Sequence, residues 1–206
     1  MLTLYYATGS CALASHIALE EAGAPYKAER LVLKNNEQRK PEYLKINPKG
    51  RVPALVTDHG ILTETPAILA YIAQSFPAAK LIPADPWTFA QVQSFNSYLC
   101  STVHVAHAHG GRGTRWADDP VALEAMKKKV TQNMADCFAL IEREMVRGPW
   151  VLGDTYSIAD PYLYTISGWL KADSVDVAQF PKVAAHRAKM EARPAVQRVL
   201  AEEQAA

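Results

Sequence analysis

The feature that most constrains this chain is a change of period at a proline-marked break. Up to about Phe76, short β-prone runs alternate with helical runs. Beyond Pro86, nearly everything follows the helical period. Between them, Lys80 to Pro86 carries Pro83 and Pro86 and no regular pattern, which reads as a linker. The chain has 206 residues, 49% of them apolar, enough for two small cores. The expected architecture is therefore an α/β domain over residues 1-80 and an all-helical domain over residues 87-206.

In the first part, Leu2 to Tyr6 reads as a strand and Ala7-Thr8-Gly9-Ser10 as a turn. A helix from about Cys11 to Ala22 follows, with Leu13 and Ile17 on one face and Gly23 as its stop. Tyr26 to Leu33 reads as a second strand. After a polar stretch from Lys34 to Pro41, Asn47-Pro48-Lys49-Gly50 is a turn by composition. Val52 to Thr57 and Ile61 to Thr63 form a hairpin around His59-Gly60. Thr65 is expected to cap a helix with Pro66 in its first position and an apolar stripe of Ile68, Leu69, Ile72 and Phe76. In the second part, helices are expected over Trp87 to about His109, over Pro120 to about Met145, and from near Ser157, with two short ones split by Pro194.

A net charge of +1 gives no basic footprint for nucleic acid. Lys127-Lys128-Lys129 lies inside a helical pattern and reads as a solvated face. The N-terminus has no signal-peptide pattern, and no run is apolar enough to span a bilayer. Three cysteines make a disulfide framework improbable and suggest a reducing, cytoplasmic setting.

Cys11 is the first residue with chemical promise. A helix N-terminus stabilises a thiolate through its free N–H groups and dipole, and Gly9-Ser10 lets the backbone turn there. The plain alternative is a buried structural cysteine, which is the better reading for Cys100 and Cys137 inside helical patterns. Val52-Pro53 is a second feature: a cis bond there would turn the Val52 backbone N–H and C=O outward to pair with an extended peptide. Glu64 and Thr65 are a third. A helix start with a hydroxyl suits a carboxylate and a neighbouring acid suits an ammonium, although capping alone would explain Thr65.

His104, His107 and His109 are spaced by three and two, which does not bring all three to one helix face, so no metal site is expected. Gly110-Gly111-Arg112-Gly113 follows no strand and lacks phosphate-loop spacing, so it reads as a helix-ending loop. Ser157-Ile158-Ala159-Asp160 fits a capping box, with Asp160 buried and structural.

In this order and spacing, LYYATGSCALASHIALEEAG, NPKGRVPAL, LTETPAILAYIA, YLCSTVH and YSIADPYLY resemble the cytosolic glutathione transferases, and most closely the bacterial beta class. The resemblance implies a thioredoxin-like N-terminal domain, a helical C-terminal domain and a homodimer, with glutathione bound between the domains as co-substrate and no cofactor. It implies that Cys11 is the reactive cysteine beside the glutathione sulfur and that the Val52 backbone, before Pro53, pairs with the cysteinyl part. Glu64 and Thr65 would hold the γ-glutamyl end, while His104, with Ser101 one turn before it, would line the site from the helical domain. Ser97 stands where the class often has an asparagine that reaches glutathione, and Val105 replaces a common lysine. Asn36 aligns with a further lysine, for which Lys34 is close enough to substitute. Ser157 and Asp160 match the family's N-cap motif.

The activity so implied is conjugation of glutathione to small apolar electrophiles, a detoxification chemistry, with Cys11 and His104 at the reacting centre. Two other functions fit the same residues. One is a thiol–disulfide or dehalogenating reductase with Cys11 as nucleophile. The other is a non-catalytic protein that stores apolar ligands between its domains.

Overall fold

The computed structural model describes residues 1–205. Strand β1 (Leu2–Tyr6) leads into helix α1 (Ala12–Glu21), which returns to β2 (Tyr26–Arg30), parallel to β1 with Leu2 opposite Tyr26. A short helix α2 (Pro41–Leu44) precedes an antiparallel pair, β3 (Ala54–Thr57) and β4 (Gly60–Thr63), and helix α3 (Thr65–Ser75) closes the unit. The strand order is β2-β1-β3-β4, with β3 antiparallel to β1. This mixed four-stranded sheet with its helices is a thioredoxin-like domain.

Beyond it the chain is helical: α4 (Pro86–Tyr98), α5 (His104–Gly111), α6 (Pro120–Leu140), α7 (Ala159–Ser167), α8 (Pro181–Glu191) and α9 (Pro194–Ala205). A π-helical turn at Leu99–Val103 joins α4 to α5, and another at Ile141–Met145 extends α6. Among the described residues no helix is long and apolar enough to cross a membrane.

The glycine stop of α1 is a Schellman cap. Gly23 takes φ +62°, its N–H reaches Glu20 O, and Ala24 N–H reaches Leu19 O. Ile17 is fully buried and packs with Trp150, Met190, Val196 and Val199, while Leu13 lies partly buried against the same cluster. Helix α1 is thus held between its own sheet and the helical half, against α7 and α9. The main core is continuous across both halves, running from Leu4, Leu55, Ile68 and Ile72 to Val92, Leu99, Met134, Phe138 and Tyr162. Burial of each such large apolar side chain stabilises by roughly 1.5–3 kcal/mol.

Several boundaries differ from the sequence reading. The second strand stops at Arg30, where its pairing with Tyr6 ends, instead of Leu33. The third starts at Ala54, because Pro53 has no N–H to give a ladder. Pro86 is the first residue of α4, not linker: Asp85 caps the helix by accepting from Thr88 N–H at 2.8 Å. Thr65 is not a cap either. Glu64 occupies that position with φ +73°, and Thr65 is already helical, which frees its hydroxyl.

Candidate active site

A cleft of about 710 Å³ runs along the seam between the sheet domain and the helices, the usual size for a small-molecule site. Cys11, Val52, Pro53, Glu64 and Thr65 line it from one side, and His104, Arg112, Tyr162 and Trp169 from the other.

The loop Gly9-Ser10 delivers Cys11 to the start of α1. Gly9 takes φ +72°, where a side chain would be strained, and its carbonyl accepts from the Trp169 indole N–H at 3.0 Å. That bond ties the loop to the helical domain. The Cys11 thiol donates to Val52 O at 3.5 Å. Burial pushes the Cys11 pKa up, and the hydrogen bond from Thr65 and the charge of Arg112 only partly oppose it. The helix start therefore does not make this cysteine a thiolate at neutral pH: desolvation wins.

Val52 precedes a cis bond to Pro53. The segment before it is pinned by two bonds to Arg51 O, from Tyr43 Oη at 2.6 Å and from Asn47 Nδ2 at 2.7 Å. Gly50, at φ +59°, closes the turn over the Arg39 side chain, where a Cβ would come within 2.8 Å of Arg39 Nη1. Glu64 pairs through its carboxylate with Lys49 Nζ at 2.6 Å. Thr65 is buried, and its side chain lines the cleft together with Cys11 and Tyr162, close enough to each to influence its ionisation.

Arg112 comes from the other domain. Its Nη2 donates to His104 Nε2 at 3.3 Å, while its Nε is buried with no partner among the described residues. Burial and the neighbouring Arg51 lower its pKa, the carboxylate of Asp173 opposes them, and the guanidinium stays a cation. Burial, then the charge of Arg112, push His104 down to about 3, so it is a neutral acceptor in the physiological range. His104 also meets Trp169 edge-on at 4.8 Å.

Other residues singled out in the sequence lie elsewhere. Lys34 and Asn36 are exposed and outside the cleft lining, Asn36 in a left-handed turn at φ +54°. Ser97 and Ser101 are exposed and bond within their own helix, Ser101 Oγ donating to Ser97 O at 2.8 Å. His109 stacks on Trp116, whereas His107 stacks on Trp169. Asp160 is fully buried in the first turn of α7. It accepts from Ser157 N–H at 2.7 Å, Val151 N–H at 2.8 Å and His186 Nε2 at 3.1 Å. Ser157 Oγ in turn accepts from Ala159 N–H at 3.3 Å.

The cleft holds four arginines, Arg39, Arg51, Arg112 and Arg115, that the sequence reading did not assign to a site. Arg112 had one usable signal: His104, Ala108 and Arg112 are spaced by four, on one face of a helix.

A sulfur-centred cleft between a thioredoxin-like domain and a helical domain, rich in cations and floored by a helix start, defines a thiol-peptide-binding class of protein. Comparison with known proteins makes this specific. The family model "Glutathione S-transferase, N-terminal domain" matches residues 1–74, and "Glutathione S-transferase, C-terminal domain" matches residues 111–203. Glutathione S-transferase GstA of Escherichia coli O157:H7 is 30% identical over 205 residues, covering 98% of each chain. A solved glutathione transferase homolog from Sulfitobacter with bound glutathione superposes with a TM-score of 0.96 at 47% identity, covering 98% of both chains. The bacterial beta class glutathione S-transferase of Sphingomonas chungbukensis superposes with a TM-score of 0.85 at 32% identity, again covering 98% of both. The chain belongs to the glutathione S-transferase family.

Proposed function

We propose that this protein is a glutathione S-transferase of beta-class type that conjugates glutathione to small electrophiles with apolar faces. The observation that carries the reading is a convergence on one point of the cleft. The Thr65 hydroxyl, the Cys11 thiol and the Arg112 cation come from three separate elements and line the same cleft, where Thr65 and Arg112 both favour ionisation of a sulfur. The tripeptide lies along Val52, its γ-glutamyl end at Glu64 and Thr65 and its sulfur near Cys11. Its carboxylates and thiolate match the arginine-rich lining.

Conjugation needs the glutathione thiol ionised near neutral pH, from a free value near that of cysteine, about 8.5. A second thiolate beside it would oppose that ionisation. Cys11 is held as a thiol, so it donates a hydrogen bond and adds no negative charge. Thr65 hydroxyl and Arg112 supply the remaining stabilisation, and His104 fixes Arg112 without titrating. Trp169, Trp116 and Ala108 give the electrophile its apolar walls. The raised Cys11 pKa favours this donor role over a reductase in which Cys11 is the attacking thiolate.

We also assign a homodimer. Ile61 on edge strand β4 and Trp87 at the start of α4 are exposed at 46% and 72%, apolar surface that a second copy would cover. The three cysteines are unpaired, in keeping with a cytoplasmic protein.

The test is Cys11→Ala, with glutathione binding measured by calorimetry and turnover measured on chlorodinitrobenzene and on a glutathione mixed disulfide. Conjugation within about tenfold of wild type, a loss of one hydrogen bond, is expected. Loss of both activities would establish Cys11 as nucleophile. A wild type that binds glutathione and turns over neither compound would be a binding protein.

A further inference from the structure

The electrophile side of the cleft contains a second polar device that glutathione binding does not use. His107 Nδ1 lies 3.0 Å and 2.7 Å from the two carboxylate oxygens of Asp173. The imidazole stacks on Trp169 with ring centres 4.5 Å apart, and Trp169 is itself bonded to Gly9 O. Asp173 is only 8% exposed, and Thr131 Oγ1 on α6 holds its backbone carbonyl at 2.9 Å. A carboxylate on Nδ1 fixes the ring and its tautomer and strengthens the other nitrogen as a proton carrier. His107 lines the cleft and its side chain is 21% exposed, and Nε2 has no partner among the described residues.

We propose that His107, oriented by Asp173, transfers a proton to the electrophile, and that it fits the protein to alkenes conjugated to a carbonyl. The proposal rests on the glutathione-binding reading above. In such an addition the glutathione sulfur forms a bond to the β-carbon. The C=C π pair shifts toward the carbonyl, and negative charge develops on its oxygen. The His107 imidazolium gives its Nε2 proton to that oxygen, and the resulting enol reverts to the ketone in solvent. His107 is reprotonated through water by the proton that left the glutathione thiol, so the net change is addition of S and H across the double bond. An aryl halide expels chloride and needs no such proton. The dyad therefore sets a preference between the two classes. Asp173 acts through His107 and is a positioning residue.

The experiment compares benzylideneacetone, an enone, with chlorodinitrobenzene in wild type, His107→Gln and Asp173→Asn, with glutathione binding followed by calorimetry. General acid catalysis contributes about a hundredfold or more, so the enone-to-aryl-halide ratio of kcat/KM should fall at least about tenfold in each variant, mainly through kcat. Should Asp173→Asn fail to fold, His107→Gln, on a partly exposed side chain, decides the matter. An unchanged ratio in His107→Gln, or equal losses on both substrates, would overturn the proposal. So would a wild type that binds glutathione and conjugates the aryl halide but never the enone. A wild type that does not bind glutathione would refute the underlying reading first, and this proposal with it.

Discussion

Arg112 Nη2 donates to His104 Nε2 across 3.3 Å, pairing a half-buried cation with an imidazole that burial and this cation keep neutral. His104 opens α5, and Arg112 follows its last residue, Gly111. The contact ties Arg112 to a neutral His104 in the lining of the cleft that also holds Cys11.

The folded value of His104, about 3, lies below the ordinary 6.5, so the unfolded chain binds the extra proton between them. His104 therefore costs nothing above pH 6.5 and destabilises progressively as pH falls from 6.5 toward about 3. The slope is at most about 1.4 kcal/mol per pH unit. Urea titrations of wild type and His104→Asn across that range should show a shallower dependence in the variant.

Arg112→Gln should lower kcat/KM for conjugation at neutral pH by about tenfold to a hundredfold, the worth of a charge-assisted hydrogen bond. The loss should shrink as pH rises, because hydroxide then ionises the thiol without help. A pH–rate profile would show this as a rightward shift of its limb.

Cys11 should react slowly with iodoacetamide near neutral pH and faster only above the usual cysteine range. Burial, its largest influence, favours the thiol. Mass-spectrometric labelling kinetics would measure this, and Arg112→Gln should slow the labelling further because the charge of Arg112 pulls the other way.

Glu64 holds φ +73°, a backbone position costly for a residue with a side chain. Glu64→Gly should keep or raise the melting temperature, since relief of roughly 1 kcal/mol or more offsets the exposed pair with Lys49. The same change should raise the KM for glutathione severalfold. A drop in melting temperature together with an unchanged KM would show that the backbone there serves the fold alone.

Asp160→Ala should destabilise by about 3–5 kcal/mol, because it strands His186 and two backbone N–H groups in the core. Thermal melts would record the loss, and any residual folded protein should still bind glutathione.

What the sequence reveals follows how local each feature is. The Gly23 stop, the His59-Gly60 hairpin and the Pro66 helix start depend on neighbours a few residues away, so composition displays them. The position of Cys11 at a helix start was readable for the same reason, but its ionisation was not, because that depends on burial by distant residues. Arg112 was hidden by the glycines around it, which read as a loop. His107 and Asp173 stand 66 residues apart, and only packing brings them together. The π-helical turn at Leu99–Val103, which sets the face that α5 presents, has no sequence signature of its own. Lys34 lies exposed outside the cleft lining, and nearness in sequence to an aligned position does not fix which way an exposed turn points.

In the proposed site Thr65 and Arg112, with Cys11 as a neutral donor, ionise bound glutathione. Ultraviolet titration of the thiolate in the binary complex tests it most directly. Bound glutathione should titrate well below its free value in wild type and in Cys11→Ala, and return toward the free value in Arg112→Gln. Bound glutathione that titrates normally in Cys11→Ala and low in Arg112→Gln would contradict it.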